Sequence, residues 1–89
     1  GLHRLTDVRL EQNNLKGPIS YLANLDNMAY LRLADNFLNG TVDALKHCKN
    51  LVYLNLRNNK FTGSLYNVTK LPNLTALFTA GNQFSNGSQ

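Results

Sequence analysis

Several things are scarce in this 89-residue chain, and each scarcity removes a class of protein. Tryptophan is absent, proline occurs twice, and Cys48 is the only cysteine, so no disulfide can close within the chain. No run approaches the roughly 18 uninterrupted apolar residues that a membrane span requires, and no basic-then-apolar leader opens the sequence. Acids are few: Asp7, Glu11, Asp26, Asp35 and Asp43, with none from residue 44 onward. That second half carries Lys46, Lys49, Arg57, Lys60 and Lys70 unopposed. Such an imbalance suits an acidic partner, but a solvated basic surface is the simpler reading. Apolar residues make up 43%, too many for a chain that stays unfolded, and the length allows one core.

What is present is a repeat. LTDVRLEQNNLKGPI from Leu5, MAYLRLADNFLNGTV from Met28, LVYLNLRNNKFTGSL from Leu51 and LTALFTAGNQFSNGS from Leu74 align without gaps at a spacing of 23 residues. They fit L-x-x-L-x-L-x-x-N-x-L-x-G-x-[IVL], with small departures in the last, and the period falls within that of leucine-rich repeats. The alternations Val8-x-Leu10, Leu31-x-Leu33 and Leu54-x-Leu56 predict short strands with one buried face, stacked into a parallel sheet. Asn13, Asn36, Asn59 and Asn82 stand where the chain leaves each strand. A carboxamide there can bond backbone groups of its own and the adjacent winding. Leu15, Leu38, Phe61 and Phe84 then turn inward, and Gly17, Gly40 and Gly63 mark a backbone conformation that a Cβ would strain. Leu22 and Leu25, Leu45 and Cys48, and Val68 and Leu71 close the core on the return side. In that column Cys48 is a small buried hydrophobe. The expected fold is an α/β-type repeat solenoid: a right-handed coil with a short parallel sheet on its concave face and irregular loops on its convex face. Because Leu2 occupies the column of Leu25 and the fourth repeat is cut short, residues 1–89 are expected to be a segment of a longer solenoid, with further repeats as neighbours.

At NNLKGPI, NFLNGTV and NKFTGSL the sequence resembles the plant-type extracellular leucine-rich repeats of receptor-like kinases, receptor-like proteins and secreted polygalacturonase inhibitors. Repeats of that class usually have 24 residues and commonly place proline where Ser20, Asp43 and Tyr66 stand here. The resemblance implies recognition of a protein or peptide ligand outside the cell, at the concave sheet or its flank.

Residues alternating with the buried leucines face outward and form columns across the repeats. One column is Asp7, Tyr30, Tyr53 and Ala76; the next is Arg9, Arg32, Asn55 and Phe78; then come Glu11, Ala34, Arg57 and Ala80. Tyrosine and arginine carry much of the energy of protein interfaces. The expected contact surface is therefore Asp7, Arg9, Tyr30, Arg32, Tyr53, Asn55, Arg57 and Phe78, with Tyr30 and Tyr53 as adjacent rings at its centre. The plain alternative is that two tyrosines only pack on each other along an exposed sheet. Four sequons, at Asn39, Asn67, Asn73 and Asn86, exceed what this content of asparagine, serine and threonine produces at random, and none uses a buried column. They point to a secreted or cell-surface location. The rival is an asparagine-rich cytosolic repeat protein.

Nothing in the chain has the makings of an enzyme. His3 and His47 fall in different repeats, His47 beside Cys48 is no zinc spacing, and no glycine-rich phosphate loop occurs. No cofactor or metal is expected. Nor is nucleic-acid binding, because the basic residues split between strand and return sides rather than forming one stripe. The serious alternative to ligand recognition is a structural or assembly element of a wall, coat or larger complex.

Overall fold

The computed structural model describes residues 7–22 and 27–85. Leu2, His3, Leu5, Leu25 and Asn86, which carry parts of the reading above, lie outside them. Among the described residues, eight short strands occur in chain order. β1 (Asp7–Arg9), β3 (Tyr30–Arg32), β5 (Tyr53–Asn55) and β7 (Ala76–Phe78) form one parallel sheet in that order. Its register is that of the repeat: Asp7 lies beside Tyr30, Tyr30 beside Tyr53, and Tyr53 beside Ala76. The alternation behaves as expected. Leu31, Leu33, Leu54 and Leu56 are sealed from solvent, while Val8, Leu10 and Leu77 pack against them less completely. Leu10, Leu33 and Leu56 each donate a backbone hydrogen bond of 2.8–2.9 Å to the following winding, which lines the three up in adjoining layers.

The asparagine ladder forms as anticipated. The Asn36 amide nitrogen donates to the carbonyls of Leu10 (2.8 Å) in the preceding winding and of Leu33 (3.0 Å) and Ala34 (3.2 Å) in its own. Its oxygen accepts from the backbone N–H of Asn13 (3.1 Å) and Leu15 (3.2 Å). Asn59 repeats this toward Leu33, Leu56 and Arg57 and accepts from Leu38; Asn82 repeats it toward Leu56, Thr79 and Ala80 and accepts from Phe61. Asn36 and Asn59 are buried, and among the described residues no buried side-chain nitrogen or oxygen lacks a partner. Burying a carboxamide is tolerable only on those terms.

One column escaped the sequence reading. The residue before each ladder asparagine is left-handed: Gln12 (φ 59°), Asp35 (63°), Asn58 (59°) and Gly81 (79°). This conformation turns the N–H of Gln12, Asp35 and Asn58 toward the carbonyls of Ala34, Arg57 and Ala80 one winding on, at 2.9–3.0 Å. A Cβ on Gly81 would run into the Asn58 side-chain oxygen and backbone, so the fourth winding needs glycine there.

The return side is more regular than the expected loops. β2 (Lys16–Pro18), β4 (Phe37–Gly40), β6 (Lys60–Gly63) and β8 (Gln83–Phe84) make a second parallel sheet. The cause is a second, shorter alternation just past the turn: Leu38 and Phe61 point in while Phe37, Asn39, Lys60 and Thr62 point out. Register differs between the sheets. In the second, Lys16 lies beside Phe37, Asn39 beside Lys60 and Thr62 beside Gln83, so partners are 21 residues apart rather than 23. Gly17, Gly40 and Gly63 all have positive φ, as anticipated. Beyond them come 3-10 turns at Ile19–Leu22 and Asp43–His47 and a single α-helical turn at Tyr66–Thr69. Leu45, Cys48, Val68 and Leu71 are buried and close the core. Phe61 and Phe84 stack at 6.1 Å.

Asn59→Leu keeps the branched shape of the side chain and removes its four hydrogen bonds to backbone groups. It is expected to cost about 3 kcal/mol in urea unfolding of the intact protein. A loss below about 1 kcal/mol would show that the ladder is not what holds the windings together.

Candidate ligand-binding face

The first sheet turns one side to the core and the other to solvent, and the outward side carries the candidate residues. Tyr30 and Phe78 are each 40% exposed, so two large rings stand open on a sheet whose opposite side is a sealed core. Tyr53 lies half-buried between them, its ring centre 6.4 Å from Tyr30 and 5.5 Å from Phe78. The three rings form one row. The contact of Tyr53 with Phe78 is diagonal, because the direct partner of Tyr53 is Ala76 and Phe78 stands two residues further along β7. Columns read straight across the strands missed it, although aromatic side chains commonly reach a diagonal neighbour.

Arg32 organises the other end of the row. Its guanidinium lies 4.7 Å from the Tyr53 ring centre and 5.8 Å from that of Tyr30. A cation over an aromatic face at a half-exposed site contributes about 0.5–1 kcal/mol. Its Nε also donates to Asp7 (3.4 Å), and Arg9 reaches the same carboxylate at 3.1 Å. The adjacent Arg9, hydrogen-bonded to Asp7, with Arg32 behind it, holds the Asp7 carboxyl below its ordinary range; Asp7 in turn raises the Arg9 guanidinium. Seven of the eight candidates, Asp7, Arg9, Tyr30, Arg32, Tyr53, Asn55 and Phe78, thus form one connected group. Asn55 turns along its own strand: its oxygen accepts the Arg57 N–H (3.2 Å) and its nitrogen approaches the Tyr53 hydroxyl (3.4 Å). Arg57 is exposed, and among the described residues its side chain forms no ion pair.

The sequons differ in setting. Asn39 is exposed on β4. The Asn67 amide donates to Asp43 (3.3 Å) and that of Asn73 to the Lys49 carbonyl (2.9 Å), both in the preceding winding. No three His, Cys, Asp or Glu side chains among the described residues converge as metal ligands, and no helix among them is long and apolar enough to cross a membrane.

Residues 50–71 match the family model described as Leucine Rich Repeat. The whole arrangement superposes on solved ectodomains. A pollen receptor kinase 3 aligns with TM-score 0.81 and 31% identity over 90% of this chain and 40% of that one. The chain is a leucine-rich-repeat solenoid of the plant receptor type. The same solenoid aligns with the plant peptide hormone receptor RGFR1, solved in complex with RGF2, at TM-score 0.83 and 29% identity, over 92% of this chain and 14% of that one. It aligns with the leucine-rich-repeat ectodomain of the receptor kinase SOBIR1 from Arabidopsis thaliana at TM-score 0.74 and 29% identity, over 82% and 42%. This solenoid therefore spans less than half the length of each. No curated protein matches it.

The ion pairs on this face set a pH dependence. A carboxyl whose value is lowered by folding adds stability that is present above its unfolded value, here 3.8, and is lost as pH falls through the lower folded value. Carbon-detected NMR titration should place the Asp7 midpoint below that of an unpaired aspartate, and Arg9→Ala should move it upward. An unmoved midpoint would mean that the ion pair does not persist in solution.

Proposed function

We propose that this solenoid segment recognises a protein or peptide ligand on the concave outer face of its first sheet, as part of an extracellular leucine-rich-repeat protein. The contact surface is Asp7, Arg9, Tyr30, Arg32, Tyr53, Asn55, Arg57 and Phe78. The observation that carries this reading is the aromatic row: Tyr30, Tyr53 and Phe78 lie in continuous contact, with two of the rings open to solvent. Had the tyrosines only packed on each other, the row would stop at a pair. Instead it runs on to Phe78, and Arg32 is fixed beside it by Asp7. Preset rings and a preset guanidinium lose little side-chain freedom when a ligand arrives. The likeness to a receptor solved with a peptide hormone supports the same reading.

In the intact protein, Tyr53→Ala and Arg57→Ala should each weaken ligand binding by about tenfold or more, measured by calorimetry with folding checked by circular dichroism. Binding unchanged in both variants would remove this face from consideration.

The secreted or cell-surface location belongs to the same proposal, with Asn39, Asn67, Asn73 and Asn86 as glycan acceptors. Its support is the number of sequons and the likeness to receptor ectodomains. Treating the native protein with an N-glycosidase should lower its mass. A mass that does not move would favour the rival cytosolic reading.

A further inference from the structure

The second sheet carries a groove that ligand binding on the first leaves unused. Phe37, Lys60 and Gln83 open β4, β6 and β8, and Asn14 holds the same repeat position just before β2. Three are polar; the one apolar member, Phe37, is 45% exposed. It lines an open groove with Asn14, Lys16, Asn39 and Lys60. A single exposed phenylalanine is tolerated on a protein surface, and here it offers an apolar platform inside the groove.

Two residues further along β4, on the same outward side, is Asn39, the acceptor of the sequon Asn39-Gly40-Thr41. Asn39 is exposed and its amide donates no hydrogen bond among the described residues, unlike Asn67 and Asn73, whose amides are turned into the preceding winding. Pro18 and Lys60 lie directly beside Asn39 on the neighbouring strands, and Lys16 lies beside Phe37. The groove thus has an attachment point at one end and an uncovered ring at the other.

We infer that Asn39 bears an N-linked glycan whose first sugar lies over the Phe37 ring, between Lys16 and Lys60. The inference rests on the extracellular reading, which supplies the transferase and the lipid-pyrophosphate oligosaccharide donor. In the transfer, a bond forms between sugar C1 and the Asn39 Nδ2, the C1–oxygen bond to the pyrophosphate breaks, the lipid pyrophosphate leaves, and the amide gives up one proton. One face of an N-acetylglucosamine presents a set of C–H bonds, which suits the electron-rich face of an aromatic ring. The lysines offer donors to the sugar hydroxyls. No carboxylate lines the groove to compete for them. A glycan fixed in this way shields the flank and leaves the aromatic row of the first sheet open.

The test uses the full-length protein secreted from a eukaryotic host. Peptide mass spectrometry should find Asn39 occupied. Phe37→Ala should raise the unfolding constant of the glycosylated protein by about threefold more than it raises that of Asn39→Gln, and Phe37→Tyr should keep the coupling. NMR of the labelled sugar should show the first residue's protons displaced by the ring current, a displacement lost in Phe37→Ala. Occupancy of Asn39 without coupling and without displaced protons would overturn the sugar seat and leave the extracellular reading standing. So would glycans on Asn67, Asn73 or Asn86 with Asn39 bare. Glycans at none of the four would overturn both.

Discussion

A carboxamide can donate two hydrogen bonds and accept two, and this solenoid places one wherever the backbone turns out of a strand. Asn36, Asn59 and Asn82 each reach back to a leucine carbonyl of the preceding winding while tying their own turn. Asp35 and Asn58, the left-handed residues just before Asn36 and Asn59, bond forward, each N–H turned to the winding that follows. Those two turns are therefore fastened in both directions. A winding of this length buries too little apolar surface to fold alone, and stacking is where its stability arises. The ladder fixes the stacking distance, which fixes the strand register, which decides which side chains share a face.

The candidate site follows from that register. Once Asp7, Tyr30 and Tyr53 are held side by side, their neighbours in β1, β3, β5 and β7 fall within reach: Arg32 of Asp7 and Tyr53, and Phe78 of Tyr53. No loop positions these groups. A surface built on paired strands is rigid at low cost, because the backbone has already lost its freedom in folding. The ion pairs are exposed and contribute mainly orientation, keeping Arg32 against the rings.

Most of the fold was legible because it depends on period. The leucine columns, the ladder asparagines and the glycines at 17, 40 and 63 recur at one spacing and take up the places that spacing implies. The rest was hidden for physical reasons. Gln12, Asp35, Asn58 and Gly81 share a left-handed backbone but not a side-chain type, since polar residues tolerate that region and only the Gly81 position is too crowded for a Cβ. The second sheet rests on alternations only a few residues long. In the site, the outward columns were read correctly, but a contact such as Tyr53 with Phe78 depends on side-chain reach across a diagonal.

The two sheets step differently from winding to winding, and this separates what each can display. On the first sheet the same repeat position returns directly alongside itself, so a partner lying across the strands meets one rank of equivalent residues, Asp7, Tyr30, Tyr53 and Ala76. On the second sheet the pairing slips by two residues per winding, and a straight path crosses Pro18, Asn39 and Lys60, which occupy different positions in their repeats. An elongated partner can thus be tracked by a single evolving column on the first sheet, one substitution per winding. The second sheet, being staggered, favours decorations confined to one or two windings.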